Sequence, residues 1–364
     1  MSLKIGIVGL PNVGKSTLFN ALTKTSAAES ANYPFCTIDP NVGIVEVPDE
    51  RLDELAKICN PEQVIPTVIE FVDIAGLVKG ASEGEGLGNQ FLSHIRECHA
   101  IAQVVRVFDD PDVVHVHGEV HPQKDREILE AELIFADLQT LEKRLHKAEG
   151  EAKSGDKKKI EYAEVLKKVE AFFHQGKLLS DMDLTDEEKE HLKDLHLLTS
   201  KPLLYICNVH EKEVGNINID ELRKKLEINN DKVLIPISAK VEEELSGFSD
   251  EEAQEFLQSL GLKETGLNQL IKASYELLDL ITFLTAGPKE VRAWTVKKDS
   301  RAPKAAGVIH TDFEKGFIKA EVIHWKDFVE SGGEAKAKEK GLMKLEGKDY
   351  IVQDGDVMHF KFNN

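Results

Sequence analysis

No stretch of this sequence approaches the roughly 20 uninterrupted apolar residues that span a bilayer, although 41% of the chain is hydrophobic. The start, Met1 to Gly9, also lacks a basic region followed by an apolar run, so no secretory signal is expected and the cytoplasm is the expected location. A membrane partner is not expected. Cysteine is scarce, and Cys36, Cys59, Cys98 and Cys207 stand without paired metal-ligand spacing. That argues against a disulfide framework or a zinc site and suits reduced thiols. Positive charge is short as well: the formal net charge of −19 repels phosphate, which speaks against generic coating of nucleic acid and against DNA specificity. The shortage is uneven. Residues 285 to 364 hold 15 Lys and Arg against 13 Asp and Glu, making that segment the better contact for a polyanion.

A chain of 364 residues has room for two or three domains. Its β-rich runs are Leu3 to Val8, Ile69 to Ile74, Ala102 to Phe108, Pro202 to Cys207 and Val233 to Ile237, with helical patterns between several of them. Strands alternating with helices predict a mostly parallel α/β sheet. From about Lys124 to about Leu179 the pattern changes. Ile134, Leu138, Leu141, Leu145, Ala148 and Ala152 recur at spacings of four and three, and Tyr162, Leu166, Val169 and Phe173 repeat the rhythm after the turn Ser154-Gly155-Asp156. This predicts an antiparallel helical hairpin, with Lys153, Lys157, Lys158 and Lys159 at its tip as either a solvated helix end or a contact for RNA or an acidic partner. A helical stretch from Leu267 to Leu284 then gives way, after Ala286-Gly287-Pro288, to short strand-like runs at Val291 to Val296, Phe317 to Ile323 and Val357 to Phe362. The division predicted is 1–123 with 200–278 for the α/β domain, 124–199 for the hairpin and 279–364 for a small β-rich domain.

The strongest chemical signal is Gly9-Leu10-Pro11-Asn12-Val13-Gly14-Lys15-Ser16, a G-x-x-x-x-G-K-[ST] loop lying between the first strand and the first helix. Its glycines let main-chain N–H groups turn towards phosphate oxygens, and the following helix aims its positive end at the same anion. Lys15 is expected to reach the β and γ phosphates, Ser16 to ligate Mg²⁺, and Thr17 to pack the helix start and donate to phosphate. Val72-Asp73-Ile74-Ala75-Gly76 ends a strand with a carboxylate and a glycine; Asp73 is expected to hold Mg²⁺ through water, and the Gly76 N–H to sense the γ-phosphate. Thr37 is the candidate to join Ser16 on the metal, with a plain loop threonine as the alternative. The glycines from Gly76 to Gly88 suit a switch segment.

Asn208-Val209-His210-Glu211 follows the fourth β run, where Ras-like GTPases carry Asn-Lys-x-Asp, and Ser238-Ala239-Lys240 follows the next run as a base loop. With Val209 at the lysine position and a longer carboxylate at Glu211, bidentate guanine recognition loses discrimination, whereas Asn208 could bond the adenine edge. Leu77 stands where a glutamine would orient water, so slow intrinsic hydrolysis is expected. Asn12 is a candidate to coordinate K⁺ in place of an arginine, or simply caps its turn. His115 is a candidate to orient the attacking water, or is a surface histidine.

Together with Arg292-Ala293-Trp294-Thr295 and His310 to Phe317, these motifs resemble the Obg-like ATPases, called YchF in bacteria, over essentially the whole chain. The resemblance implies a Ras-like P-loop domain interrupted by a coiled-coil hairpin and followed by a β-grasp TGS domain. It further implies ATP as the preferred nucleotide and Mg²⁺ as cofactor. The implied partner is the ribosome, as its large subunit or whole, with rRNA or tRNA contacts, in translation or stress response. Two other readings stay open: a GTPase with a degenerate base loop, and a non-hydrolysing adaptor for which nucleotide is a structural ligand.

Overall fold

The computed structural model describes residues 3–27, 41–74, 87–110, 113 and 119–363. Thr37, Gly76, Leu77 and His115 lie outside these residues. Among the described residues are two six-stranded sheets, and the chain divides into two compact units.

The first unit comprises Met1–Ile44 and Glu70–Leu270. Its sheet takes the order β2-β4-β1-β5-β6-β7, formed by β1 (Leu3–Gly9), β2 (Val42–Glu46), β4 (Val68–Asp73), β5 (Ala100–Arg106), β6 (Leu203–Asn208) and β7 (Val233–Ile237). Neighbours from β1 through β5 and β6 to β7 run parallel. β5 and β6 are buried at every position, which is why they read as near-continuous apolar runs without alternation. Helix α1 (Lys15–Ala27) follows β1, and α3 (Leu87–Glu97) precedes β5.

The hairpin consists of α4 (Pro122–Ala152) and α5 (Lys157–Phe173). Ile134, Leu138, Leu141, Leu145 and Ala148 are buried on one helix, and Leu166, Val169 and Phe173 on the other. They join the same apolar core as β5 and β6. Gly155 adopts φ +78° at the turn, and the Asp156 side chain accepts from the Lys158 N–H to cap α5. The hairpin's root is fastened by Asp137, almost wholly buried, whose carboxylate accepts from the N–H groups of Leu198 and Thr199 and from the Thr199 hydroxyl at 2.7–2.8 Å. The four tip lysines are exposed.

The second unit comprises Val45–Ile69 and Ile271–Asn364. Its sheet has the order β11-β10-β12-β8-β9-β3, from β3 (Gln63–Ile65), β8 (Leu280–Ala286), β9 (Glu290–Lys297), β10 (Phe317–His324), β11 (Lys344–Glu346) and β12 (Asp356–Phe362). β8 and β9 form an antiparallel hairpin, β12 enters parallel beside β8, and β10 pairs antiparallel with β12. That mixed order, with a helix at Ala302–Ile309, is a β-grasp arrangement.

Two sequence expectations change here. Residues 45–69 were expected in the nucleotide-binding domain, yet β3 pairs in parallel with β9. In addition, Leu52 and Leu55 of α2 (Glu50–Cys59) are buried with Val291, Ala293, Phe328 and Val357. A short strand and an amphipathic helix carry no mark of which sheet they complete. The helix expected to reach Leu284 instead stops at Leu277. Asp279 turns the chain at φ +52°, and Leu-Ile-Thr-Phe-Leu, rich in β-formers, pairs with β9 as β8.

Candidate nucleotide-binding site

β1, β4, β5, β6 and β7 deliver their carboxyl ends to one cavity of about 800 Å³, the position where open α/β sheets bind ligands. At one end of it is the loop 10–14. Asn12 turns at φ +64° and Gly14 at φ +94°, left-handed values that glycine adopts freely. A Cβ on Gly14 would lie 2.2 Å from the Asn208 side-chain nitrogen, so position 14 excludes every side chain twice over. A Cβ on Gly9 would come within 2.9 Å of a Val13 methyl and 3.0 Å of the Val104 carbonyl. Val13 is buried and seats the loop, while the Leu18 N–H bonds the Gly14 carbonyl to begin α1.

Lys15 and Asp73 meet as an ion pair, with Ser16 and Thr17 beside them on the cavity wall. A hydroxyl and a carboxylate are hard oxygen donors of the kind Mg²⁺ takes, usually with waters and phosphate oxygens completing its shell. Asp73 and Ser16 therefore fit that ion.

At the other end, Asn208 acts first as a clamp. Its side-chain NH₂ donates to the Val13 carbonyl at 2.8 Å, and its oxygen accepts from the Ala239 N–H at 3.0 Å. One side chain thus ties the phosphate loop to the loop that opens the helix Ala239–Leu245. Val209 is almost wholly buried and belongs to the apolar core. Its N–H bonds the Ile237 carbonyl. Glu211 reaches Lys240 at 2.5 Å; this hydrogen bond and the lysine's charge hold the Glu211 carboxyl below its usual range and raise Lys240. Ser238 and Ala239 are buried and begin the helix Ala239–Leu245. Behind that helix's first turn the buried Glu242 accepts from the N–H groups of Gly266 and Leu267. Burial pushes its pKa up to about 7 despite those bonds.

Sequence reasoning missed the wall that follows β5. Phe108 meets His210 edge-on with ring centres 5.5 Å apart, and Arg106, Asp110 and Val113 line the cavity beside them. The usable signal was positional: the next parallel strand after the two motif-bearing ones had to end at the same cavity.

A mostly parallel sheet with an anion-binding loop on its central strand makes the first unit a P-loop nucleotide-binding domain of the Ras-like class. Two family models match: one described as a 50S ribosome-binding GTPase (MMR_HSR1) over residues 4–139, and the YchF-GTPase C-terminal family, described as a protein of unknown function (DUF933), over residues 280–363. The chain is 54% identical to the Ribosome-binding ATPase YchF of Bacillus subtilis (strain 168) and 53% identical to that of Escherichia coli O157:H7, with 100% of each chain covered. A solved structure described as the Schizosaccharomyces pombe YchF GTPase is similar with TM-score 0.88 at 40% identity, covering 99% of this chain and 98% of its own. The protein belongs to the YchF family. No helix among the described residues is long and apolar enough to cross a membrane.

Proposed function

We propose that this protein is an Mg²⁺-dependent ATPase of slow intrinsic turnover that acts as a molecular switch on the ribosome, in translation or stress response. Relatives more than 50% identical over their full length carry the name ribosome-binding ATPase, which supports both the nucleotide and the partner. The observation that carries the choice of base is at Glu211: the carboxylate that would accept from guanine is longer than aspartate and held by Lys240, and no lysine stands at position 209.

Lys15 would exchange Asp73 for the β and γ phosphates, freeing Asp73 to join Ser16, and Thr37 from the sequence, around the metal. The metal would neutralise charge developing on the phosphate oxygens. Asn12, Val13 and Gly14 would present main-chain N–H groups to the phosphates, with Gly76 sensing the last of them. His115 is assigned to orienting water, and Asn12 is the candidate for K⁺. Asn208, Val209, Glu211, Ser238, Ala239 and Lys240 frame the base.

The experiment is titration of ATP and GTP against the purified protein with Mg²⁺, followed by phosphate release with and without ribosomes. Tighter ATP binding and ribosome-stimulated release are expected. Tighter GTP binding would favour a GTPase, the word applied to the 40% identical structure; absence of turnover in both conditions would favour a non-hydrolysing adaptor.

A further inference from the structure

Arg106 closes β5 with its side chain only 2% exposed. A buried guanidinium is costly unless its donors are satisfied, and the way this one is satisfied is specific. Nε donates to the Phe108 carbonyl at 3.0 Å, Nη1 to the Val113 carbonyl at 3.0 Å and Nη2 to the Asp110 carbonyl at 3.3 Å. All three acceptors are main-chain oxygens of cavity-lining residues, and the same guanidinium lies over the Phe108 ring at 5.0 Å from its centre. Arg106 thus holds both the main chain and the aromatic face of that wall. The wall is also keyed to the clamp: Arg106 is registered opposite Asn208 across β5 and β6, and the Val107 N–H donates to the Asn208 carbonyl. None of the three side-chain bonds reaches the phosphate loop.

We propose that Arg106 is a positioning residue for the nucleoside half of the ligand: its planar fork fixes the wall residues Phe108, Asp110 and Val113 beside His210, so that base and ribose gain affinity from it while the phosphates do not. This rests on reading the cavity as an ATP site. A lysine, being a point charge on a flexible stem, cannot hold three carbonyls spread over six residues.

The test compares Mg·ATP with Mg·tripolyphosphate, which has the phosphates without the nucleoside, on the full-length protein by competition binding. Arg106→Met is expected to weaken ATP about ten-fold or more while tripolyphosphate stays within about two-fold, and to raise KM with kcat nearly unchanged at saturation. Arg106→Lys is expected to keep most of that defect. Retained tripolyphosphate binding shows that the phosphate loop is still folded in each variant. ATP affinity unchanged in Arg106→Met, equal loss of both ligands, or full rescue by lysine would each overturn the proposal. A parent protein that binds no ATP would instead overturn the ATPase reading itself, and Lys15→Ala, expected to lose both ligands, marks the phosphate-loop contribution separately.

Discussion

The two ends of the cavity are built on different principles. At the phosphate-loop end the binding is assigned to the main chain, and what matters about the side chains at positions 9 and 14 is that they are absent. At the base end, side chains from three strand termini interlock, and the residue that joins the two ends, Asn208, spends one amide hydrogen and one oxygen lone pair on the protein itself. An anion of fixed shape can be met by a fixed loop, whereas a flat, nearly neutral base must be met by surfaces that are first held in place by one another.

The sharpest way to break this contrast is Gly14→Ala. It forces an alanine to φ +94°, a strain of about 1–3 kcal/mol, and drives its methyl into the clamp. Loss of ATP and tripolyphosphate binding together, by about 100-fold or more, is expected from calorimetry. Asn208→Ala should come next. It leaves the Val13 carbonyl and the Ala239 N–H without their partner, at about 1–3 kcal/mol, read as a lower Tm and a weaker affinity felt at both ends. Damage confined to the base end would show that the clamp does not couple them.

Glu242→Gln probes the support behind the base loop. Because burial holds the folded-state pKa near 7, above the ordinary 4.5, the folded protein binds the proton more tightly than the unfolded chain. The stability that Glu242 contributes is therefore fully present below about pH 4.5 and is lost as pH rises through about 7. The variant should match the parent in acid and exceed it by roughly 1–3 kcal/mol above pH 7 in denaturant titrations; a parallel pH profile for the two would refute the assignment. The smallest effect is expected from Lys240→Met. Solvent screens this pair, so ATP affinity should change by no more than about five-fold, with the ATP-to-GTP ratio as the more sensitive readout.

The same contrast explains what could be read in advance. The phosphate loop was legible because its chemistry is local: eight consecutive residues, a strand before and a helix after. The parallel sheet was legible from apolar runs without alternation, and the hairpin from its rhythm of fours and threes. Phe108 and Arg106 were not legible as a site, because their meaning comes from the segment they fold against and from β6, about 100 residues on. Glu242 was equally silent, since only the Gly266 and Leu267 amides reveal it as an acceptor. The placement of 45–69 was hidden for a related reason: pairing of β3 with β9 joins residues more than 200 positions apart.

That long-range pairing has a consequence for how the chain comes into being. Leu52 and Leu55 emerge early in synthesis, but Phe328 and Val357, against which they are buried, emerge near its end. Through most of translation α2 has its apolar stripe and no place to put it, while the strands on either side of it can already begin assembling the nucleotide sheet. The second unit must therefore close late, by recruiting a segment made long before, and a fragment started at residue 279 would be born with a groove where α2 belongs.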